Sequence, residues 1–145
     1  MYKLLTLSFA ALALIGGSAH AQAGAPANDA VYQAMGQQEG IKRIVASFVK
    51  RVRTDPRVAF QFKDADLDRL HKMLFEQFCN LSGGPCKYTG QDMKESHADM
   101  KATNAQFNAV AENLQLAMEE HGVPSHAQNK LIAKLAPMQR DIVTK

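Results

Sequence analysis

The feature that most narrows the fold of this chain is the spacing of its apolar residues. From Asn28 onward they recur at three- and four-residue intervals and almost never alternate. That rhythm writes amphipathic helices and leaves little material for a sheet. Ile41, Ile44, Val45, Phe48, Val49 and Val52 form one stripe of a helix expected over residues 39–53. Thr54-Asp55-Pro56 breaks it, with Asp55 placed as a cap for the next element. Leu67, Leu70, Met73, Leu74, Phe78 and Leu81 form a second stripe, opened by Asp64-Ala65-Asp66 and stopped by Ser82-Gly83-Gly84-Pro85. Thr103 is placed to cap a long helix whose inner face is Phe107, Val110, Leu114, Ala117 and Met118. After the Gly122-Val123-Pro124-Ser125 break, the last helix carries Leu131, Ile132, Leu135, Met138 and Ile142, with a kink expected at Pro137. Shorter helices over residues 29–35 and 92–100, and an apolar turn over 58–62, complete an all-α domain of about six or seven helices.

The first residues follow another pattern. Lys3 gives a positive start, Leu4 to Ile15 an apolar run, and Ala19-His20-Ala21 a small-residue cleavage site. We read residues 1–21 as a signal peptide, 22–29 as a disordered lead-in and 30–145 as one domain. The alternative is an uncleaved anchor or buried helix, but the run is too short to span a bilayer comfortably. The expected location is the periplasm or the exterior of a bacterial cell, with no membrane span. The net charge of +3 includes Lys3, and acidic and basic residues are interspersed. No concentrated basic face marks a nucleic-acid partner.

The two cysteines, Cys79 and Cys86, lie close together. In an oxidising compartment such a pair tends to bridge, which over a loop this short stabilises by about 2–3 kcal/mol. The alternative is two unrelated small residues. No Cys-x-x-Cys-His run occurs, so a prosthetic group would not be attached by that route.

Few constellations remain for chemistry. There is no phosphate-cradling glycine loop, no nucleophile elbow and no four-ligand metal spacing. Beyond the leader there are four histidines, His71, His97, His121 and His126. In the expected helix Met93, His97 and Met100 share one side, which sets an imidazole among soft apolar side chains. A neutral imidazole there can ligate iron, and apolar neighbours suit the faces of a haem. By spacing alone, a histidine satisfied within the core is the more common outcome. His71 reads as a partly exposed helix residue, and His121 and His126 as solvent-facing.

A longer set of residues carries a resemblance. It comprises Tyr32-Gln33-Ala34-Met35-Gly36, Phe48, Arg51-Val52, Asp55-Pro56, Phe62, Gly83-Gly84-Pro85, Tyr88-Thr89-Gly90, Met93 and His97. Phe107, Gly122-Val123-Pro124 and Ala136-Pro137 continue it. Over residues 30–143 the chain resembles the group I truncated haemoglobins, whose fold is a two-over-two helical sandwich around a haem. The run Gly-Gly-Pro-x-x-Tyr-x-Gly-x-x-Met-x-x-x-His is the specific part.

The resemblance implies a non-covalent haem b, with His97 as proximal iron ligand and Phe62 packed on the haem plane. Val49, Leu70, Met73, Leu74, Tyr88 and Met93 join them as expected haem neighbours. Gly83-Gly84 and Gly90 let the proximal loop turn into its short helix. Many relatives carry a distal tyrosine where this chain has Val49, and polar residues where it has Leu70 and Leu74. The implied function is binding of dioxygen, nitric oxide or carbon monoxide, with modest oxygen affinity and fast dissociation. Alternatives are a haem enzyme that detoxifies nitric oxide with a separate electron donor, and an electron-transfer or redox-sensing globin. The last would need Met73, or else His71, as sixth iron ligand; otherwise Met73 is a flexible filler beside the haem. A haem-free helical bundle that merely keeps the fold is the blandest reading.

Overall fold

The computed structural model describes residues 29–145. The expected leader and, Asp29 apart, the expected lead-in lie outside the described residues. The helices are α1 (Ala30–Ala34), α2 (Gln37–Thr54), α3 (Leu67–Leu81), α4 (Met93–Ser96), α5 (Asn104–Glu120), α6 (Ser125–Leu135) and α7 (Gln139–Ile142). Short 3₁₀ turns occupy Ala59–Phe62 and Ala136–Met138. Among the described residues there is no strand, only an isolated bridge between Ala102 and Val143.

The stripe on α2 organises the rest. Ile41, Ile44, Val45, Phe48, Val49 and Val52 are each no more than 4 % exposed. Burying such side chains contributes roughly 1.5–3 kcal/mol apiece before conformational entropy is charged against it. α2 packs against α5 on one side and α3 on the other. The Phe48 and Phe78 rings meet at 6.0 Å and 53°, a tilted aromatic pair across the α2–α3 contact.

The helix starts are set by local chemistry. Asp66 caps α3 by accepting from the Arg69 amide at 3.1 Å. Thr103 and Gln106 form a reciprocal capping box at the head of α5, with bonds of 3.2 and 3.0 Å. Pro137 breaks the last helical stretch into α6, a 3₁₀ turn and α7. The chain then returns to the head of α5, where the amides of Thr144 and Lys145 both donate to the Ala102 carbonyl.

Two expectations are corrected. The helix expected over 92–100 stops at Ser96, and His97 occupies its C-cap at φ −119°, ψ 8°. The competition is local: His97 Nδ1 takes the Met93 carbonyl at 2.8 Å, the acceptor that the His97 amide would use in a continuing helix, and that amide turns to the Glu95 carbonyl instead. Met93, His97 and Met100 therefore do not share one helical face. His121 is not simply solvent-facing either. It is half-buried, with its Nε2 2.8 Å from Ser47 Oγ, and so ties the end of α5 to α2. Glu120 strengthens the tie through Arg51 at 2.9 Å, and that guanidinium holds the Glu120 carboxyl below its usual range. His126 is exposed.

Candidate functional site

α4 is too short to have a buried face of its own, so its side chains depend on what surrounds them. α7 packs on it from one side, while α3 and α5 supply the walls beyond. Two cavities result. One, of about 150 Å³, lies between α3, α4, α5 and the C-terminal helices, with Leu74, Phe78, Met93 and Leu114 among its walls. The other, of about 100 Å³, reaches the 3₁₀ turn and takes in Val58, Phe62, Met100 and Ala102. His97, Phe107, Val110 and Ile142 line both, so the imidazole stands in the partition between two apolar chambers.

Hydrogen bonds fix which nitrogen of His97 is free. Nδ1 lies 2.8 Å from the Met93 carbonyl, which can only accept. Ser96 Oγ is 2.9 Å away, but its own hydrogen is directed at the Asp92 carbonyl. The network therefore assigns the proton of the neutral ring to Nδ1, leaving the lone pair on Nε2. This is the arrangement of a metal-binding histidine whose second nitrogen is held by a backbone carbonyl.

The other expected neighbours divide. Leu74 and Met93 share the larger cavity with His97, and Phe62 shares the smaller. Val49 is buried in the α2 core and touches a surface hollow with Lys50, Arg53, Thr54 and His71. His71 Nδ1 donates to the Leu67 carbonyl at 2.7 Å, within its own helix. Leu70 packs against the hydrophobic core from α3. Met73 and Gly90 line an open hollow between α3 and the loop before α4, together with Arg69, Lys72, Thr89 and Gln91. Tyr88 closes that loop by donating to the Gln91 carbonyl at 2.7 Å.

The loop is fastened to α3 along its length. The Cys79–Cys86 disulfide is formed, with Cα atoms 5.6 Å apart. Asn80 donates to the Cys86 carbonyl at 3.0 Å, and Glu76 accepts from both the amide and the hydroxyl of Thr89 at 2.9 and 2.7 Å. Those two bonds, with Lys72 nearby, hold the Glu76 carboxyl below its usual range. Burial first, and the Glu76 charge second, push the Tyr88 phenol up.

Sequence reading did not single out Gln77. It lines the larger cavity beside Leu74. Its spacing of seven from Leu70 and three from Leu74 was the available signal, since those positions share one helix face.

A family model described as "Bacterial-like globin" matches residues 30–144. The chain is 32% identical over 115 residues to a group 1 truncated hemoglobin of Tetrahymena pyriformis, covering 79% of this chain and 95% of that one. A group 1 truncated hemoglobin of Mycolicibacterium paratuberculosis is 31% identical over 114 residues, covering 79% and 84%. The crystal structure of the Tetrahymena pyriformis protein in its Fe(III) form superposes with a TM-score of 0.76, over 79% of this chain and 98% of that one. The 2/2 hemoglobin of Synechococcus, solved with covalently attached heme, shares the fold at a TM-score of 0.73 and 22% identity, over 79% of this chain and 98% of that one. The apolar chambers around His97 and the match along the whole helical domain place the chain in the bacterial-like globins, as a group 1 truncated haemoglobin of the haem-based gas-binding family.

Proposed function

We propose that this protein is exported and holds a non-covalent haem b through His97, at which dioxygen, nitric oxide and carbon monoxide bind. The observation that carries the reading is the imidazole in the partition of two apolar chambers, with Nδ1 committed to Met93 and Nε2 free. Ferrous haem iron supplies reversible coordination of a diatomic gas. The chain supplies the axial nitrogen, an apolar enclosure from Phe62, Leu74, Met93 and Phe107, and a polar hollow at the edge of α3. There Arg69 has a long 3.5 Å contact to Gln91, and Lys72 sits 3.9 Å from Glu76. These are the two cations of the hollow that can meet the propionate groups of a haem, beside the carboxylates of Asp68 and Glu95 that also line it.

Met73 and His71 support an open sixth position. Met73 lines the outer hollow and His71 the surface hollow beside Val49 and Lys50, and neither lines a cavity that His97 lines. Non-covalent attachment is supported by the cysteines, which are joined to each other.

Optical spectra of the purified protein, oxidised and then reduced without added ligand, test the reading. A Soret band with a broad ferrous visible band is expected, and His97→Ala, checked for helicity, is expected to lose it. Failure of the parent protein to take up haem, or an unaltered spectrum in the variant, overturns the assignment. Sharp, resolved ferrous bands would instead mean an internal sixth ligand. For export, the mass of the protein recovered outside the cytoplasm is expected to begin at Gln22. A full-length mass in every fraction rejects it.

A further inference from the structure

The larger cavity beside His97 contains one polar side chain that its surroundings do not explain. Apart from His97 itself, its walls are leucine, isoleucine, valine, alanine, phenylalanine and methionine side chains, and Gln77. Gln77 stands on α3, across the cavity from α4, on the face that carries Leu70 and Leu74. Among the described residues, its carboxamide N–H groups meet Met93 Sδ at 3.4 Å and Met138 Sδ at 3.8 Å. Thioether sulfur is a weak acceptor, so the partly buried amide exchanges some of its water for partners that return little. A leucine or phenylalanine would wall the same cavity without that cost. The neighbouring glutamines of the second cavity differ: Gln61 donates to the Met100 carbonyl at 3.0 Å and Gln106 is used in the α5 capping box. Of these three glutamines, Gln77 alone keeps a donor that a guest in its cavity can take over from a weaker partner.

We propose that Gln77 is the hydrogen-bond donor to a diatomic ligand held at the haem site, and that it sets the preference for dioxygen over carbon monoxide. The proposal rests on the haem-binding reading above. Dioxygen gathers partial negative charge when it binds ferrous iron, whereas carbon monoxide stays close to neutral, so an amide N–H favours the former. The carboxamide does for this chain what the apolar Val49, Leu70 and Leu74 cannot. Oxygen therefore leaves more slowly than the sequence reading expects.

The test compares the parent protein with Gln77→Leu, which keeps a side chain of similar bulk in the wall and removes the donor. The infrared stretch of bound carbon monoxide reads the local field directly, and dissociation rates of both gases read selectivity. In Gln77→Leu the stretch is expected to move to higher frequency. Oxygen dissociation is expected to quicken about fivefold to tenfold, the rate equivalent of one neutral hydrogen bond, with carbon monoxide dissociation changed less than about twofold. Thermal unfolding of the haem-free variant is expected to match or exceed that of the haem-free parent, because a poorly partnered amide has been removed. An unshifted stretch, equal changes for both gases, or a haem-free variant that unfolds well below the parent would overturn the proposal in favour of a packing role. A parent protein with no Soret band would overturn both this proposal and the haem reading, whereas a normal Soret band with an unshifted stretch overturns only the role of Gln77.

Discussion

At Gly90 a single missing methyl group decides how the loop before α4 is laid. A Cβ there would collide with the Tyr88 hydroxyl and come within 2.7 Å of Met73 Sδ. The thioether can swing away, but the ring cannot, because its hydroxyl is donated to the Gln91 carbonyl at 2.7 Å. Gly83 is required for a different reason: its φ of +88° turns the chain out of α3. Gly90→Ala should cost about 1–3 kcal/mol by overpacking, seen as a lower midpoint in thermal or urea unfolding. An unchanged midpoint would show that Tyr88 is free to move. His97 illustrates the same scale from the side of chemistry. One backbone carbonyl, that of Met93, settles the tautomer and so makes Nε2 the ligating atom.

Among the elements, α4 is the least self-sufficient. It is one turn long, with Asp92 capping its start through the Glu95 amide and His97 Nδ1 taking the Met93 carbonyl. Its position is inherited from α7, packed against it, and from the loop over residues 86–91, which Cys79, Glu76 and Asn80 fasten to α3. Reduction of the disulfide removes the cross-link from the unfolded ensemble and loosens one end of that seam. The expected loss is about 2–3 kcal/mol, which in a domain of this size lowers the unfolding midpoint by roughly 10 °C. Haem release should quicken as well, since the loosened segment leads to His97. A paired Cys79→Ser, Cys86→Ser variant should reproduce both effects without reductant. Identical melting and haem release with and without reductant would mean that the Glu76–Thr89 clamp and Asn80 suffice.

For the molecule as a whole, the ionised carboxylates that join elements predict an acid limit. Arg57 and Asn113 hold the Asp55 carboxyl far below its usual range, Thr89 holds Glu76 down and Arg51 holds Glu120 down. A carboxyl with a depressed folded-state pKa contributes stability that is full above its unfolded value and is lost as pH falls through the folded one. These groups should therefore add no pH dependence near neutrality and should weaken the fold below about pH 4.5. Glu76→Gln should have a lower midpoint at neutral pH and a shallower decline in acid. Parallel acid profiles for parent and variant would remove Glu76 from this account.

The sequence by itself determined the long elements. The α2 stripe, the Asp66 and Thr103 caps and the break at Pro137 depend on neighbours within a turn or two, where periodicity and capping chemistry act. The motif running from Gly83 to His97 likewise singled out the histidine that stands between the two cavities. What only the tertiary structure decided is what lies around it. Whether α4 is one turn or two depends on whether the Met93 carbonyl accepts from the His97 amide or, as here, from the His97 ring. That Gln77, Met93 and Met138 meet, or that His121 reaches Ser47, depends on residues as many as 74 positions apart. Such encounters have no local signature, because a side chain's spacing gives the face it occupies but not the partner that face will meet.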